Sequence, residues 1–310
     1  MSFLRSFGKY LPERVVDNAE MARLAGCDPE WILSVSGIRE RRYAAAEEGV
    51  AELALRAAQD CLQRAGVEAA AVGMLLLASG SSERRFPGPA ATVAQRLGLG
   101  TVPAIDLPMA SVGALFGLAL AAQLAPIYKL VLVVAAEKMS AVVAQPPLDP
   151  NIAVLFGDGA GACLVSHEDG LAEVLDAALY SDGTFSEDLR LEFQAPLAMN
   201  GRVVILQASR KIPSAVLALL ERQAIVPSQV GGFIMHQANQ NLIVRVARAL
   251  GVPDEAFYVN IDRYGNTSSA SLLIAAAEWV EARGFRPAEP VIMTAFGAGF
   301  HWGALLARGC

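Results

Sequence analysis

Charge is scarce in this chain of 310 residues, where Asp, Glu, Lys and Arg together make up 18%. Acidic residues (31) outnumber basic ones (25), giving a net charge of −6 and a pI near 5.2. That balance excludes a nucleic-acid partner, which needs a basic field to neutralise phosphates. Cysteine is sparse as well. Cys27, Cys61, Cys163 and Cys310 are scattered without metal-ligand spacing, the pattern of a reducing compartment rather than a disulfide scaffold. No H-E-x-x-H, P-loop or EF-hand signature occurs, so neither a metal nor a nucleotide cofactor is expected. The first ten residues lack the apolar stretch and small-residue cleavage site of a signal peptide, which points to the cytoplasm. One run, 110–127, reaches membrane-span length. It contains Ser111 and Gln123 and lies between strand-like segments, so it reads as a helix buried on every face and no membrane is expected. What the chain does have is apolar mass: 54% of it is hydrophobic, enough for a large core or a subunit interface.

That mass is arranged in two similar copies. Val72-Gly73 followed by Met74 to Leu77, then Leu97-Gly98, then Ile105-Asp106 matches Val230-Gly231 followed by Gly232 to Met235, then Leu250-Gly251, then Ile261-Asp262. Val230 follows Val72 by 158 residues, Leu250 follows Leu97 by 153 and Asp262 follows Asp106 by 156. A near-constant offset means repeated supersecondary units, packed here as two half-domains, 1–168 and 169–310, about a pseudo-twofold axis. Equivalent loops of the halves then face one another, and Ser111, His236 and Asn266 lie on them.

Period and punctuation predict the elements. In the first half these are helix 50–65 ending at Gly66, strand 74–78, helix 90–97 ending at Gly98, strand 102–106, helix 111–124 and strand 130–135. In the second they are helix 212–223, strand 233–235, helix 241–250, strand 257–261, helix 268–283 and strand 291–294. Continuous apolar strands alternating with helices give an α/β fold whose sheets are covered on both faces. The order of layers is helix, sheet, shared buried helices, sheet, helix. The glycine-rich stretches at 156–161 and 296–300 lead into strands rather than helices, so they read as tight turns with close backbone approach and not as phosphate cradles.

Ser111 follows a strand and opens the buried helix. A nucleophile there gains from the positive end of the helix dipole and from free N–H groups that can hold an oxyanion. A plain N-cap serine is the structural alternative. Met109-Ala110-Ser111-Val112-Gly113 is not the G-x-S-x-G elbow of hydrolases. His236 ends a strand and is a candidate base or a structural histidine; Asn266 precedes a helix and is a candidate site residue or a turn residue.

Together these residues resemble the thiolase superfamily, specifically its β-ketoacyl-acyl-carrier-protein synthase III family. The resemblance rests on Trp31-Ile32 with Ser36-Gly37-Ile38-Arg39-Glu40-Arg41-Arg42, on Phe156 to Gly161, on His236-Gln237-Ala238-Asn239, on Tyr264-Gly265-Asn266-Thr267-Ser268, and on Phe296 to Phe300 with Trp302-Gly303. It implies a thiolase-like duplicated five-layer αβαβα fold and an acyltransferase that loads an acyl group at the head of the buried helix. The donor is acyl-CoA or an acyl carrier protein, and the acyl group is condensed with malonyl-carrier protein. By resemblance His236 and Asn266 assist decarboxylation. Backbone N–H groups of Ser111 and Ala298 form the oxyanion hole, Trp31 and Phe300 contact substrate, and Phe86 crosses the interface of a homodimer.

The departures are at named positions. The family's nucleophilic cysteine is Ser111 here, and a hydroxyl needs a base where a thiol ionises readily. Three arginine positions of the family are Val35, Pro150 and Asn241, leaving Arg210, Lys211, Arg245 and Arg248 as candidate carrier-protein contacts. The alternatives to a serine acyltransferase are a homologue without a nucleophile, acting as a malonyl decarboxylase or partner subunit, and an engineered Cys-to-Ser form of an ordinary synthase.

Overall fold

The structure, a computed structural model, describes residues 1–144, 148–192 and 195–310. The main sheet takes five strands from the first half: β1 (Phe3–Tyr10), β2 (Met74–Ala78), β3 (Ala104–Leu107), β4 (Leu130–Lys138) and β5 (Asp158–Ser166). Five come from the second: β6 (Ala172–Ser181), β7 (Gly232–Met235), β8 (Phe257–Tyr258), β9 (Pro290–Gly297) and β10 (His301–Gly309). They hydrogen-bond in the order β8-β7-β9-β10-β6-β1-β5-β4-β2-β3, so the second half repeats the strand order of the first outward from the middle. The pairings repeat too. β2 lies parallel to β3 and β4 while β5 runs antiparallel to β4, and β7 lies parallel to β8 and β9 while β10 runs antiparallel to β9. The halves meet where Phe3 and Leu4 of β1 pair with Glu173 and Ala172 of β6. Their two expected sheets are thereby one continuous sheet of ten strands.

The sheet halves sandwich two apolar helices, Gly113–Tyr128 and Ser271–Ala282. Alternate strand residues point to opposite faces, and the packing follows that rule. Leu76, Val131 and Val133 of the first half and Ile234, Val291 and Met293 of the second share one core with Leu115, Leu118, Leu272 and Ile274 of these helices. Their neighbours Leu75, Leu132 and Val134 turn outward onto the helices Val50–Ala65 and Pro89–Leu97. Phe233, Ile292 and Leu306 turn outward onto Gly201–Arg222 and Gln240–Leu250. The expected five layers are therefore present. Each Leu or Ile taken wholly out of water here contributes about 1.5–3 kcal/mol.

Element ends follow the predicted punctuation where a cap defines them. Gly66 takes a left-handed conformation (φ +62) and its N–H closes back on the Leu62 and Gln63 carbonyls. Asn239 caps Gln240–Leu250 by accepting from the Asn241 and Leu242 N–H groups. Elsewhere tertiary packing overrides the local pattern. The helix expected from 212 begins at Gly201 and passes through Pro213, because Ala208, Ile212, Val216 and Leu219 form one inward stripe. It is the one helix among the described residues long and apolar enough to cross a membrane by length and composition, and its stripe lies against the sheet. The strand expected over 257–261 stops at Tyr258, and Ile261–Tyr264 turns as a helix. The helix 111–124 starts at Gly113 and is not buried all round: Leu120, Gln123 and Ile127 are exposed.

Candidate active site

Ser111 stands just outside the helix it was expected to open. It adopts a left-handed backbone (φ +67), and Val112 is the N-cap residue without any side-chain cap bond, which removes the N-cap reading. A non-glycine residue in this region costs on the order of 1–3 kcal/mol, and such strain gathers at functional sites. The surroundings hold it there. A Cβ on Gly297 would fall 2.3 Å from the Ala110 carbonyl oxygen and 2.9 Å from the Val112 nitrogen, so the end of β9, where a turn was expected from 296, packs backbone to backbone against the serine. From the other side the Ser111 N–H donates to Ser268 Oγ at 3.0 Å. This N–H, expected to serve an oxyanion, is thus occupied in this geometry.

His236 follows β7 directly, its N–H donating to the Thr294 carbonyl of β9 at 2.9 Å. Its Nδ1 lies 2.5 Å from Ser271 Oγ, which also accepts the Gln237 N–H at 3.0 Å. A hydroxyl can accept from or donate to Nδ1. The first state leaves Nε2 bare as a base, the second leaves it protonated as a donor. Burial alone pushes the imidazole pKa down to about 3, so the ring is neutral at physiological pH.

Asn266 is fixed by its backbone, whose N–H donates to the Leu155 carbonyl at 2.8 Å and whose carbonyl accepts from Gly157 at 3.1 Å. Its side-chain oxygen accepts the Ser268 N–H at 2.8 Å. Asn266, Ser268 and Ser111 thereby form one chain of hydrogen bonds. The glycines of 157–161 permit close approach as expected, since a Cβ on Gly157 would lie 2.3 Å from the Tyr264 carbonyl oxygen. Gly159 and Gly161 themselves belong to β5 rather than to a turn.

Ser111, His236 and Asn266 all line one cavity of about 360 Å³. Ala298 and Trp31 line it too, and its walls include Met139, Phe156, Leu197, Val204 and Ile205. This is a mostly apolar cleft with a few convergent polar groups, the usual form of a small-molecule site. Other expected residues are placed differently. Phe300 is wholly buried, stacked on Phe185 at 5.4 Å and packed on Phe296 at 4.8 Å; Phe296 lines the cavity and Phe300 sits behind it. Phe300→Ala is therefore expected to cost about 3–5 kcal/mol. It should lower the midpoint of urea unfolding while leaving substrate affinity per folded molecule within about twofold. Phe86 is 85% exposed and outside the cavity. Lys211 is engaged within the chain, paired with Asp182 at 2.8 Å and lying over the Trp302 ring at 4.1 Å, so it is withdrawn as a carrier contact. Arg210, Arg245 and Arg248 are exposed. Asn241 donates its side-chain amide to the Ser34 and Val35 carbonyls, both at 3.2 Å, tying its helix to the helix Pro29–Ser36 that carries Trp31.

The sequence reading passed over Ser268, Ser271 and Glu137. The only signal for the serines was the density of hydroxyls in Thr267-Ser268-Ser269-Ala270-Ser271, which also suits an ordinary turn.

Known proteins match this chain over nearly its whole length. The family model for 3-oxoacyl-[acyl-carrier-protein] synthase III matches residues 105–183, and the model for the C-terminal part of that enzyme matches 220–308. β-Ketoacyl-[acyl-carrier-protein] synthase III of Geobacillus kaustophilus is 36% identical over 97% of this chain and 96% of its own length. The crystal structure of 3-oxoacyl-[acyl-carrier-protein] synthase III from Aquifex aeolicus superimposes with a TM-score of 0.95 at 34% identity, covering 99% of this chain and 100% of that one. The priming β-ketosynthase of the R1128 polyketide pathway is more distant, at 28% identity and a TM-score of 0.90.

Proposed function

The chain belongs to the 3-oxoacyl-[acyl-carrier-protein] synthase III family, and on that premise we propose that it is a condensing acyltransferase working through a serine acyl-enzyme. The carrying observation is the convergence of Ser111, His236 and Asn266 on one apolar cavity. In the first half-reaction Ser111 Oγ attacks the carbonyl carbon of an acyl thioester while His236 Nε2 takes the hydroxyl proton. The tetrahedral oxyanion is met by the Ala298 N–H and by the Ser111 N–H, which Ser268 Oγ releases as the oxyanion forms. Collapse expels the thiolate, which leaves with the proton held by His236. In the second half-reaction malonyl-carrier protein loses CO2, and the thioester enolate is held by hydrogen bonds from the Asn266 amide and from His236 in its other neutral tautomer. Solvent exchange supplies that tautomer: Nε2 now carries the proton and Nδ1 accepts from the Ser271 hydroxyl. The enolate carbon attacks the Ser111 ester carbonyl, forming the new C–C bond and breaking the ester C–O bond; the Ser111 alkoxide takes a proton from solvent as the β-ketoacyl product leaves. The apolar wall accommodates an aliphatic acyl group, and no step calls for a bound cofactor.

Among the described cavity residues Arg190 is the one permanently cationic side chain, and it is paired with Glu187 at 2.9 Å and Glu192 at 3.0 Å. A nucleotide phosphate therefore finds no unpaired cation among the described residues that line the cavity, which supports a carrier-borne donor over acyl-CoA. Arg245 and Arg248, on the helix whose first turns line the cavity, are the cations we assign to an acidic carrier. Reversing both to Glu should raise KM for a carrier-borne donor about tenfold while leaving acyl-CoA turnover within about twofold, read from initial rates with each donor.

We also propose a homodimer. Among the described residues the last strand of the sheet, Ala104–Leu107, has no partner on one side, Ile105 is exposed on it, and Leu120, Ile127 and Phe86 are further exposed apolar residues of the same half. Sedimentation should return about twice the 32.7 kDa chain mass. The four cysteines are free, in accord with a cytoplasmic setting. The activity itself is tested by supplying an acyl-carrier donor with malonyl-carrier protein and resolving the products by mass. A β-ketoacyl carrier supports the reading, whereas CO2 release without a new C–C bond overturns condensation.

A further inference from the structure

Beneath the cavity lies a carboxylate that the reaction above does not use. Glu137, near the end of β4, is fully buried. It accepts from Ser79 Oγ at 3.3 Å, from the Gly80 N–H at 3.0 and 3.1 Å, and from Ser81 Oγ at 2.5 Å. It also accepts from the Ser269 N–H at 3.3 Å and from Ser269 Oγ at 2.7 Å. Every one of these contacts brings a donor, and none comes from a basic side chain. A carboxyl group buried without a cation is costly unless its lone pairs are met in this way. An apolar residue would fill the same strand position more cheaply.

The two segments that Glu137 joins flank the nucleophile. Gly80 lies flat against Ala110, since a Cβ there would fall 2.7 Å from the Ala110 Cβ. Ser269 is next to Ser268, whose hydroxyl oxygen holds the Ser111 N–H, and the same turn supplies Ser271 to His236. We propose that Glu137 is a positioning residue for acyl transfer: it locks the 79–81 loop to the 268–271 turn, and so holds Ser111 and His236 in register for the proton transfer between them. This inference rests on the acyl-enzyme reading.

Single-turnover acylation, followed by intact mass over a range of donor concentrations, tests it in Glu137→Gln, Ser268→Ala and the double variant. Glutamine keeps the shape but turns an amide toward three donors, whichever oxygen it replaces. Glu137→Gln should lower the limiting acylation rate at least about tenfold, with the donor concentration for half-maximal rate within about twofold. The double variant should be no more than about threefold slower than the slower single variant, because both changes release the same turn. A purely structural role would lower the unfolding midpoint and leave the rate per folded molecule unchanged, and that result overturns the proposal, as do losses that multiply in the double variant. Should Glu137→Gln fail to fold, Ser269→Ala removes the contact from the other side and is expected to slow acylation about threefold or more; an unchanged rate overturns the proposal. A wild-type protein that accepts no acyl group overturns the acyl-enzyme reading and this inference together, whereas wild-type acylation with unaffected variants overturns only the latter.

Discussion

Ser111→Ala is expected to abolish acyl-enzyme formation, a loss of at least about a thousandfold, and Ser111→Cys to accelerate it by about tenfold or more. The first follows because no other hydroxyl among the described cavity residues is presented in the same way. Ser268 lines the cavity, but its oxygen is occupied by the Ser111 N–H. The second follows from the leaving and attacking atoms. A thiol ionises far more readily than a hydroxyl and its thiolate is intrinsically more nucleophilic. A thioester is also better activated than an ester toward the attacking carbanion, so the condensation step should gain as well. The left-handed turn accepts either side chain, since Ser and Cys differ only in the γ atom. Quenched-flow acylation and product formation, measured separately in the three proteins, check both halves of the expectation. A cysteine variant slower than wild type in both steps would mean that the cavity is built around the hydroxyl.

The second large effect concerns His236. With its pKa pushed down to about 3 by burial, the imidazole is neutral throughout the range in which the protein is handled. Acylation at pH 5.5 should therefore stay within about twofold of its value at pH 7.5, whereas a base with the ordinary pKa near 6.5 would lose about tenfold. Removing the base altogether, in His236→Ala, should cost about 10²–10⁴-fold in acylation. Stability carries the complementary signature. Between about pH 6.5 and 3 the unfolded chain binds a proton at this residue and the folded chain does not. Folding is thus favoured above 6.5 and weakened as pH falls through that window, by at most about 1.4 kcal/mol per pH unit. His301 is also pushed down by burial and adds to the same slope, so the informative quantity is the difference from His236→Gln. The variant should lose less stability than wild type between pH 7 and pH 5 in urea titrations. Equal losses would place a solvated, ordinary histidine at this position.

The parts of the fold legible in the sequence were those with local punctuation. Val50–Ala65 and Met74–Ala78 were read with their observed bounds because Gly66 closes the one and the other is an unbroken apolar run. The strand Phe3–Tyr10 was not, since Arg5, Ser6 and Lys9 interrupt its pattern, although it is the strand that joins the halves. The start of Gly201–Arg222 was missed because Pro213 and the polar residues around it hide a stripe that only the sheet makes apolar. At the site, the duplication brought out Ser111, His236 and Asn266 as facing positions. The left-handed turn at Ser111 was not legible, because Gly297 and Ser268, more than 150 positions away, impose it. Phe300 was misplaced because its role came from the family resemblance alone; here it is a core residue behind Phe296, which lines the cavity.

The central claim is that Ser111 carries the acyl group, and its most direct test is the intact mass of the protein after incubation with a panel of acyl-carrier and acyl-CoA donors, followed by peptide mapping. The account predicts an added acyl mass on the peptide containing Ser111, absent in Ser111→Ala and formed faster from carrier-borne donors. No adduct from any donor, together with loss of CO2 from malonyl-carrier protein that depends on His236, would contradict it and leave a decarboxylase or a partner subunit in its place.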